Sequence, residues 1–229
     1  MTNQVPPKYV VEFGVDQPPH SDGRLDAPAF RRNSAPILAV VTRVLGMSQG
    51  HALEVGSGTG QHVVAFARAL PGLTWWPSDP SAKHRESIEA WRRDAGLANL
   101  MAPIALDVSS ADWSLGQPGF PSNHPLAAIV CINVLHIAPW SVAEGLLAGA
   151  ARHLQSDGQL VLYGPYRVGG AHTAPSNAAF DVALRAQNPQ WGVRDMEEIA
   201  ALAAANRLRI AETVEMPANN LVLVLARSS

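Results

Sequence analysis

The sequence predicts an α/β protein with a doubly wound, mostly parallel sheet. Three observations predict it. An apolar strand pattern ending in Glu54 runs into Gly56-x-Gly58-x-Gly60 and then into helical periodicity. Strand and helix patterns alternate through five units, as expected for parallel strands joined by right-handed crossovers with helices on both faces. Two last strands flank a short polar connection, which predicts an antiparallel hairpin at the end of the chain.

Each element follows from a local pattern. Residues 1–30 hold five prolines and no clear periodicity and read as an irregular arm. Ser34 to Leu45 carries Ile37, Val40, Val41, Val44 and Leu45 at helical spacing, with Pro36 in the first turn. His51 to Val55 is the first strand. Gln61 to Leu70 is a helix with Val63, Phe66, Ala67 and Leu70 on one face, stopped by Pro71-Gly72. Leu73 to Trp76 is the second strand, Ser81 to Ala95 a helix and Ala102 to Leu106 the third strand.

Ala111 to Pro125 contains three prolines and reads as a loop. Ala127 to Ile132 is an uninterrupted apolar run, which suits a central strand covered on both faces. Val142 to Leu154 is a helix and Gln159 to Tyr163 the fifth strand. A mixed stretch, 164–194, holds a helix after Pro175 and reads as a lid-like insert. Asp195-x-x-Glu198 resembles a capping box and opens the last helix. Arg209 to Glu215 and Leu221 to Ala226 form the hairpin. Residues 31–229 thus read as one domain.

Bulk properties narrow the function. The chain has 229 residues, 47% hydrophobic and 16% charged, enough to fill one sizeable core. A net charge of −2 leaves no global basic footprint, so no nucleic-acid partner is expected. Cys131 is the only cysteine and sits inside an apolar strand, so neither a disulfide nor a cysteine nucleophile is expected. No apolar run approaches the ~18 residues of a membrane span. A cytoplasmic protein is the plain expectation, with no metal site, since no His/Cys cluster has zinc spacing.

The chemistry concentrates where the strands end. Gly56, Gly58 and Gly60 form G-x-G-x-G, with Gln61 where a dinucleotide fingerprint has its third glycine. Asp79 follows the second strand, where a carboxylate accepts from both hydroxyls of a cofactor ribose; it also suits a helix N-cap. Asp107 follows the third strand and suits either an exocyclic amine such as that of adenine or nearby loop N–H groups.

Glu54 to Gly60, then Asp79, then Asp107, resembles class I S-adenosylmethionine-dependent methyltransferases. That resemblance implies a Rossmann-like sheet of seven strands with the terminal one reversed. A closer resemblance is to the methyltransferase-like 26 family. It rests on Arg31-Arg32-Asn33, Glu54 to His62, Trp75-x-Pro-Ser-Asp79, Ile132 to Trp140, Tyr163-Gly164-Pro165-Tyr166, His172 to Asn177 and Pro217 to Asn220. Arg31 stands where that family has Glu.

The resemblance implies S-adenosylmethionine as cofactor, with S-adenosylhomocysteine as product. Glu54 would orient its amino group, and Gly56, Ser57, Gly58 and Gly60 would pack beneath its methionine moiety. Asp79 would hold the ribose, and Asp107 with Val108 the adenine. Arg32 and Asn33 would reach the carboxylate, although Arg32 equally suits a solvated charge. His62 and Asn133 complete the cofactor set.

A second group of residues follows the fourth and fifth strands. His136, Tyr166 and His172 are the candidate catalytic residues, His136 foremost, because it follows the strand that reaches the methyl group in this fold. A packed histidine is the alternative for His136, and lid packing for Tyr163 and Tyr166. Trp140, Tyr163, Asn177, Asn219 and Asn220 are the candidate substrate contacts, with a plain hairpin turn as the other reading of Asn219 and Asn220. Asn133 is not followed by Pro-Pro-aromatic, which argues against methylation of base amino groups.

The expected activity is in-line methyl transfer to an O or N nucleophile of a small molecule. Two other readings remain: a non-catalytic S-adenosylmethionine-binding partner or sensor, and an NAD-linked oxidoreductase, which Gln61 disfavours.

Overall fold

The computed structural model describes residues 20–111, Trp113, Phe120 and 125–228. The start of the predicted arm and most of the predicted loop 111–125 lie outside them. The element order is α1 (Pro28–Leu45), β1 (Gly50–Val55), α2 (Gln61–Ala69), β2 (Leu73–Ser78), α3 (Ala82–Ala95), β3 (Leu126–Ile132), α4 (Trp140–His153), β4 (Leu154–Val168), β5 (Ala171–His172), α5 (Pro175–Gln187), β6 (Arg194–Asp195), α6 (Met196–Ala205), β7 (Leu208–Met216) and β8 (Asn220–Arg227).

The sheet order is β2-β1-β3-β4-β8-β7. The first four strands are parallel, and β8 runs antiparallel to both β4 and β7. This is the mostly parallel sheet with a reversed terminal strand that the sequence predicts. The short strands β5 and β6 pair with the far end of β4.

The third predicted strand, 102–106, is not a continuous strand. Leu100 and Ile104 bridge to Trp75 and Ser78 along the outer edge of β2. Hydrogen bonds from Met101 N to Trp75 O and from Ile104 N to Pro77 O hold the segment in place. Pro77 and Pro103 lack N–H groups, so a regular ladder between the two segments is broken.

Strand alternation sorts the core into two layers. Leu53, Val55, Ile129, Cys131, Leu160, Leu162 and Leu223 pack with Val142, Leu146 and Leu147 of α4 and Ile199 of α6. Ala52, Ala128, Val130, Val161, Tyr163 and Val222 pack on the opposite face with Ile37 and Val41 of α1 and Val63 and Phe66 of α2.

The helix ends follow their sequences. The Ser81 hydroxyl accepts from His84 N at the start of α3, and Gly96 ends that helix in a left-handed conformation. Asp195 caps α6 by accepting from Glu197 N. Helix α1 starts at Pro28, two turns before the predicted Ser34, so Pro36 lies inside it. Proline suits a first helical turn, and Pro28 fills that role instead of Pro36. The longer α1 carries Arg32 and Asn33 on the helix, with Ala29, Arg32, Asn33 and Pro36 along one stripe.

Candidate active site

A cavity of about 640 Å³ opens at the carboxyl ends of β1 to β4, where open α/β sheets bind ligands. That volume lies in the range of small-molecule sites, roughly 300–1,000 Å³. Its floor is the turn after β1, one wall is the stripe of α1, and the opposite wall is α5 with the segment after it.

The turn is built from carboxylate and glycine geometry. Gly58 has φ +56°, and a Cβ there would meet nothing within 4 Å, so the backbone is bare toward open space. Gly60 has φ +95°, and a Cβ would lie 2.9 Å from Ile88 Cα, which places it in the packing of the turn against α3 and outside the cavity lining. Asp79 Oδ2 accepts from Gly58 N at 2.9 Å. Its Oδ1 accepts from Ser81 N at 2.9 Å and lies 3.2 Å from His84 Nδ1. Asp79 therefore ties the loop to the start of α3 while still lining the cavity.

Glu54 lines the same floor and is buried. Its Oε2 has no hydrogen-bond partner among the described residues. Burial, with the Asp79 charge adding in the same direction, raises its pKa to about 8. Such a carboxyl lacks a cationic partner. Asn33 Oδ1 and His62 Nδ1 are also buried without partners. His62 packs between Phe30 and Phe66, and burial lowers its pKa to about 4. Arg32 is exposed at the rim and forms no ion pair among the described residues.

The ends of β3 and β4 supply the next residues. Asn133 holds φ +60°, an uncommon conformation for a side-chain-bearing residue, and its N–H donates to Tyr163 O. His136 sits in a single 3-10 turn, Leu135–Ile137. Burial, helped by Arg194, lowers its pKa to about 4, so it is a neutral imidazole near pH 7. Tyr163 reaches the cavity from β4, and its hydroxyl accepts from Asn220 Nδ2 at 2.8 Å. Asn177 lines the cavity from α5 and donates to Asn219 O and Thr173 Oγ1.

The cavity thus brings together Arg32, Asn33, Glu54, Gly56, Ser57, Gly58, His62, Asp79, Asn133, His136, Tyr163, Asn177 and Asn220. Gly60, Asp107, Val108, Trp140, Tyr166, His172 and Asn219 are not in its lining. Tyr166 is buried in the core beneath α4 and α6, because it shares strand parity with Leu160 and Leu162. His172 Nε2 faces Asp181 at 3.6 Å. Asp107 Oδ1 accepts from Ser109 N and Oγ, a loop-bracing role. Val108 packs in the core and its carbonyl accepts from Trp113 Nε1. Trp140 lies beneath the Arg194 guanidinium. Asn219 contributes its backbone carbonyl.

An apolar wall for which the sequence carries no motif completes the cavity: Ile137, Phe180, Leu184 and Trp191. The signal was present as the helical face containing Phe180, Leu184 and Gln187.

The model of a family described as a protein of unknown function, DUF938, matches residues 24–227. The chain belongs to the DUF938 family. Solved structures share the fold of this DUF938 chain. An O-methyltransferase family protein from Burkholderia thailandensis is similar at TM-score 0.73 and 17% identity, over 88% of this chain and 58% of that one. An O-methyltransferase from neocarzinostatin biosynthesis, in complex with S-adenosylmethionine and 2-hydroxy-5-methyl naphthoic acid, is similar at TM-score 0.67 and 16% identity, over 87% and 54%. A methyltransferase of calicheamicin biosynthesis, bound to S-adenosylhomocysteine, is similar at TM-score 0.61 and 17% identity, over 85% and 55%. The DUF938 chain spans little more than half the length of these structures, and the likeness is one of fold.

Proposed function

We propose that this chain is an S-adenosylmethionine-dependent methyltransferase acting on an O or N nucleophile of a small molecule in the cytoplasm. The observation that carries the reading is the buried Glu54 carboxyl, which has Ser57 as a side-chain neighbour but no cation and leaves Oε2 without a partner among the described residues, beside the bare backbone of Gly58 at the carboxyl edge of a parallel sheet. An aliphatic ammonium is the partner Glu54 lacks, and the methionine end of the cofactor supplies one. Bound S-adenosylmethionine presents a methyl group on a sulfonium, open to in-line attack. The shared residues with the methyltransferase-like 26 family support the same reading, as do the solved neighbours in complex with S-adenosylmethionine and S-adenosylhomocysteine.

The chain's own residues divide the work. Glu54 holds the ammonium, Asp79 braces the loop and faces the ribose, and Arg32 and Asn33 meet the carboxylate. Asn133 and His136 stand where the methyl group would point. Neutral His136 orients an acceptor hydroxyl or amine by accepting its hydrogen bond; as the carbon–sulfur bond breaks and S-adenosylhomocysteine leaves, the acceptor's proton passes to this imidazole and on to solvent. The segments around α5 cover the acceptor and exclude water, which favours a displacement that consumes the sulfonium charge.

Release of S-adenosylhomocysteine from S-adenosylmethionine in the presence of a metabolite extract tests the reading. Turnover that is lost in His136→Ala supports it. Cofactor binding with no turnover across broad pools would favour the non-catalytic binder instead, a reading that the weak basicity of His136 also fits.

A further inference from the structure

The cavity has two chemically distinct halves. Sheet order separates them, because β2 and β1 carry Asp79 and Glu54 while β3 and β4 lie toward α5. Among the described residues, the formally charged side chains of the lining, Arg32, Glu54 and Asp79, stand on α1 or at the ends of β1 and β2. Among the described residues, the half bounded by α5 is lined by no Asp, Glu, Lys or Arg.

That half is an aromatic slot. Phe180 and Leu184 follow one another at helical spacing along α5, and His136 meets the Phe180 ring edge-on at 5.5 Å. Phe180 is 42% exposed although large and apolar, so part of its aromatic surface lacks protein partners. Trp191 closes the far side, and its buried indole N–H has no acceptor among the described residues.

The slot is held rigidly from outside. Asp181, on the same helix, accepts from Val193 N and Arg185 Nε. Gly192 N donates to His136 O at 2.9 Å. Arg194 donates to the carbonyls of Leu135, Ala138 and Gln190, so one guanidinium ties the His136 turn to the Trp191 segment. Loops with so many anchors hold a shape in advance of the ligand.

We propose that this slot takes a flat, apolar acceptor that carries no formal charge on the part lying against α5, such as an aromatic alcohol or amine. This rests on the methyltransferase reading above. An ionised group in the slot would find no counter-ion among its described lining residues and would lose its hydration, since the neighbouring Arg194 guanidinium lies behind the lining and already donates to three carbonyls. A ring, by contrast, finds two aromatic faces and a spare N–H donor.

Titration calorimetry with three probes tests it: S-adenosylhomocysteine, 2-naphthol and 2-naphthoate. The first probe reports the donor half, so a failure there counts against the methyltransferase reading and not against the slot. With S-adenosylhomocysteine bound, 2-naphthol is expected to bind about tenfold more tightly than 2-naphthoate or better. Phe180→Ala weakens 2-naphthol by about tenfold. Val182→Ala on the solvent side of α5, 70% exposed, leaves that affinity unchanged and controls for the helix. The S-adenosylhomocysteine titration of each variant reports that the fold is intact. The slot is overturned if 2-naphthoate binds as well as 2-naphthol, or if 2-naphthol fails to bind or is indifferent to Phe180→Ala, while S-adenosylhomocysteine binds normally.

Discussion

The carboxylate of Asp79 accepts the backbone N–H of Gly58 at 2.9 Å, so the acid that ends β2 fixes the tip of the loop that follows β1. Ligand floor and neighbouring strand are one hydrogen-bonded unit. Asp79→Ala leaves the N–H groups of Gly58 and Ser81 without this acceptor. It is expected to cost about 1–3 kcal/mol in denaturant unfolding and to weaken S-adenosylhomocysteine binding as well. Asp79→Asn can satisfy only one of the two N–H groups with its carbonyl and falls between.

Glu54 makes cofactor affinity pH-dependent. Its folded pKa of about 8 means the free protein holds this carboxyl protonated at pH 7. An ammonium ligand needs it ionised, so binding releases a proton. Affinity for S-adenosylhomocysteine is expected to rise as pH goes from 6 to 8, by up to about tenfold per unit, and to level off above 8. The free protein shows the opposite trend in stability. An acid whose pKa is raised by folding contributes stability fully below about pH 4.5 and loses it as pH rises toward 8. Glu54→Gln removes both slopes and weakens binding. Calorimetry in buffers of different ionisation enthalpy counts the released proton.

Two of the three glycines of the turn, Gly58 and Gly60, separate fold from function. Gly58→Ala meets open space and bears only the left-handed backbone cost, roughly 1–2 kcal/mol. Its methyl group projects where the ligand would lie, so S-adenosylhomocysteine affinity is expected to fall more than tenfold in a folded protein. Gly60→Ala drives a Cβ into the backbone of Ile88 at 2.9 Å and is expected to lower the melting temperature far more. Melting curves alongside binding isotherms distinguish the two.

His62 and His136 make the fold acid-sensitive. Burial lowers both pKa values to about 4, from an ordinary value near 6.5. A histidine held neutral by folding contributes stability above about pH 6.5 and loses it as pH falls toward 4. His62→Phe, which keeps an aromatic ring between Phe30 and Phe66, should flatten the fall in stability between pH 6.5 and 4. Neutral His136 also predicts no acid limb of turnover near pH 6–7 from this residue, a point a pH–rate profile checks.

Much of the fold is legible in the sequence because its signals are local. The apolar run Ala127–Ile132, the cap at Asp195 and the hairpin around Pro217 all report their own conformation. The outer segment at Ile104 is the exception, since its ladder depends on two prolines, Pro77 and Pro103, on separate stretches of chain. The site divides similarly. Glu54, Gly58 and Asp79 come from adjacent strand ends, where position in the chain implies position in space. Tyr166 carries the right chemistry on the wrong parity of β4, and counting by twos from Leu162 would have placed it in the core. Trp191 has no motif to mark it, and the helical face that carries Phe180 does not report what it lines, because an aromatic wall is recognisable only once α5 is folded over the sheet.

The proposed function stands on binding of the methyl donor at the Glu54–Gly58 floor. Titration of the protein with S-adenosylhomocysteine and, separately, with NAD tests it most directly. Saturable one-to-one binding of S-adenosylhomocysteine that collapses in Gly58→Ala, with no binding of NAD, is the expected result. Binding of NAD, or failure of S-adenosylhomocysteine to bind the folded protein, would contradict it.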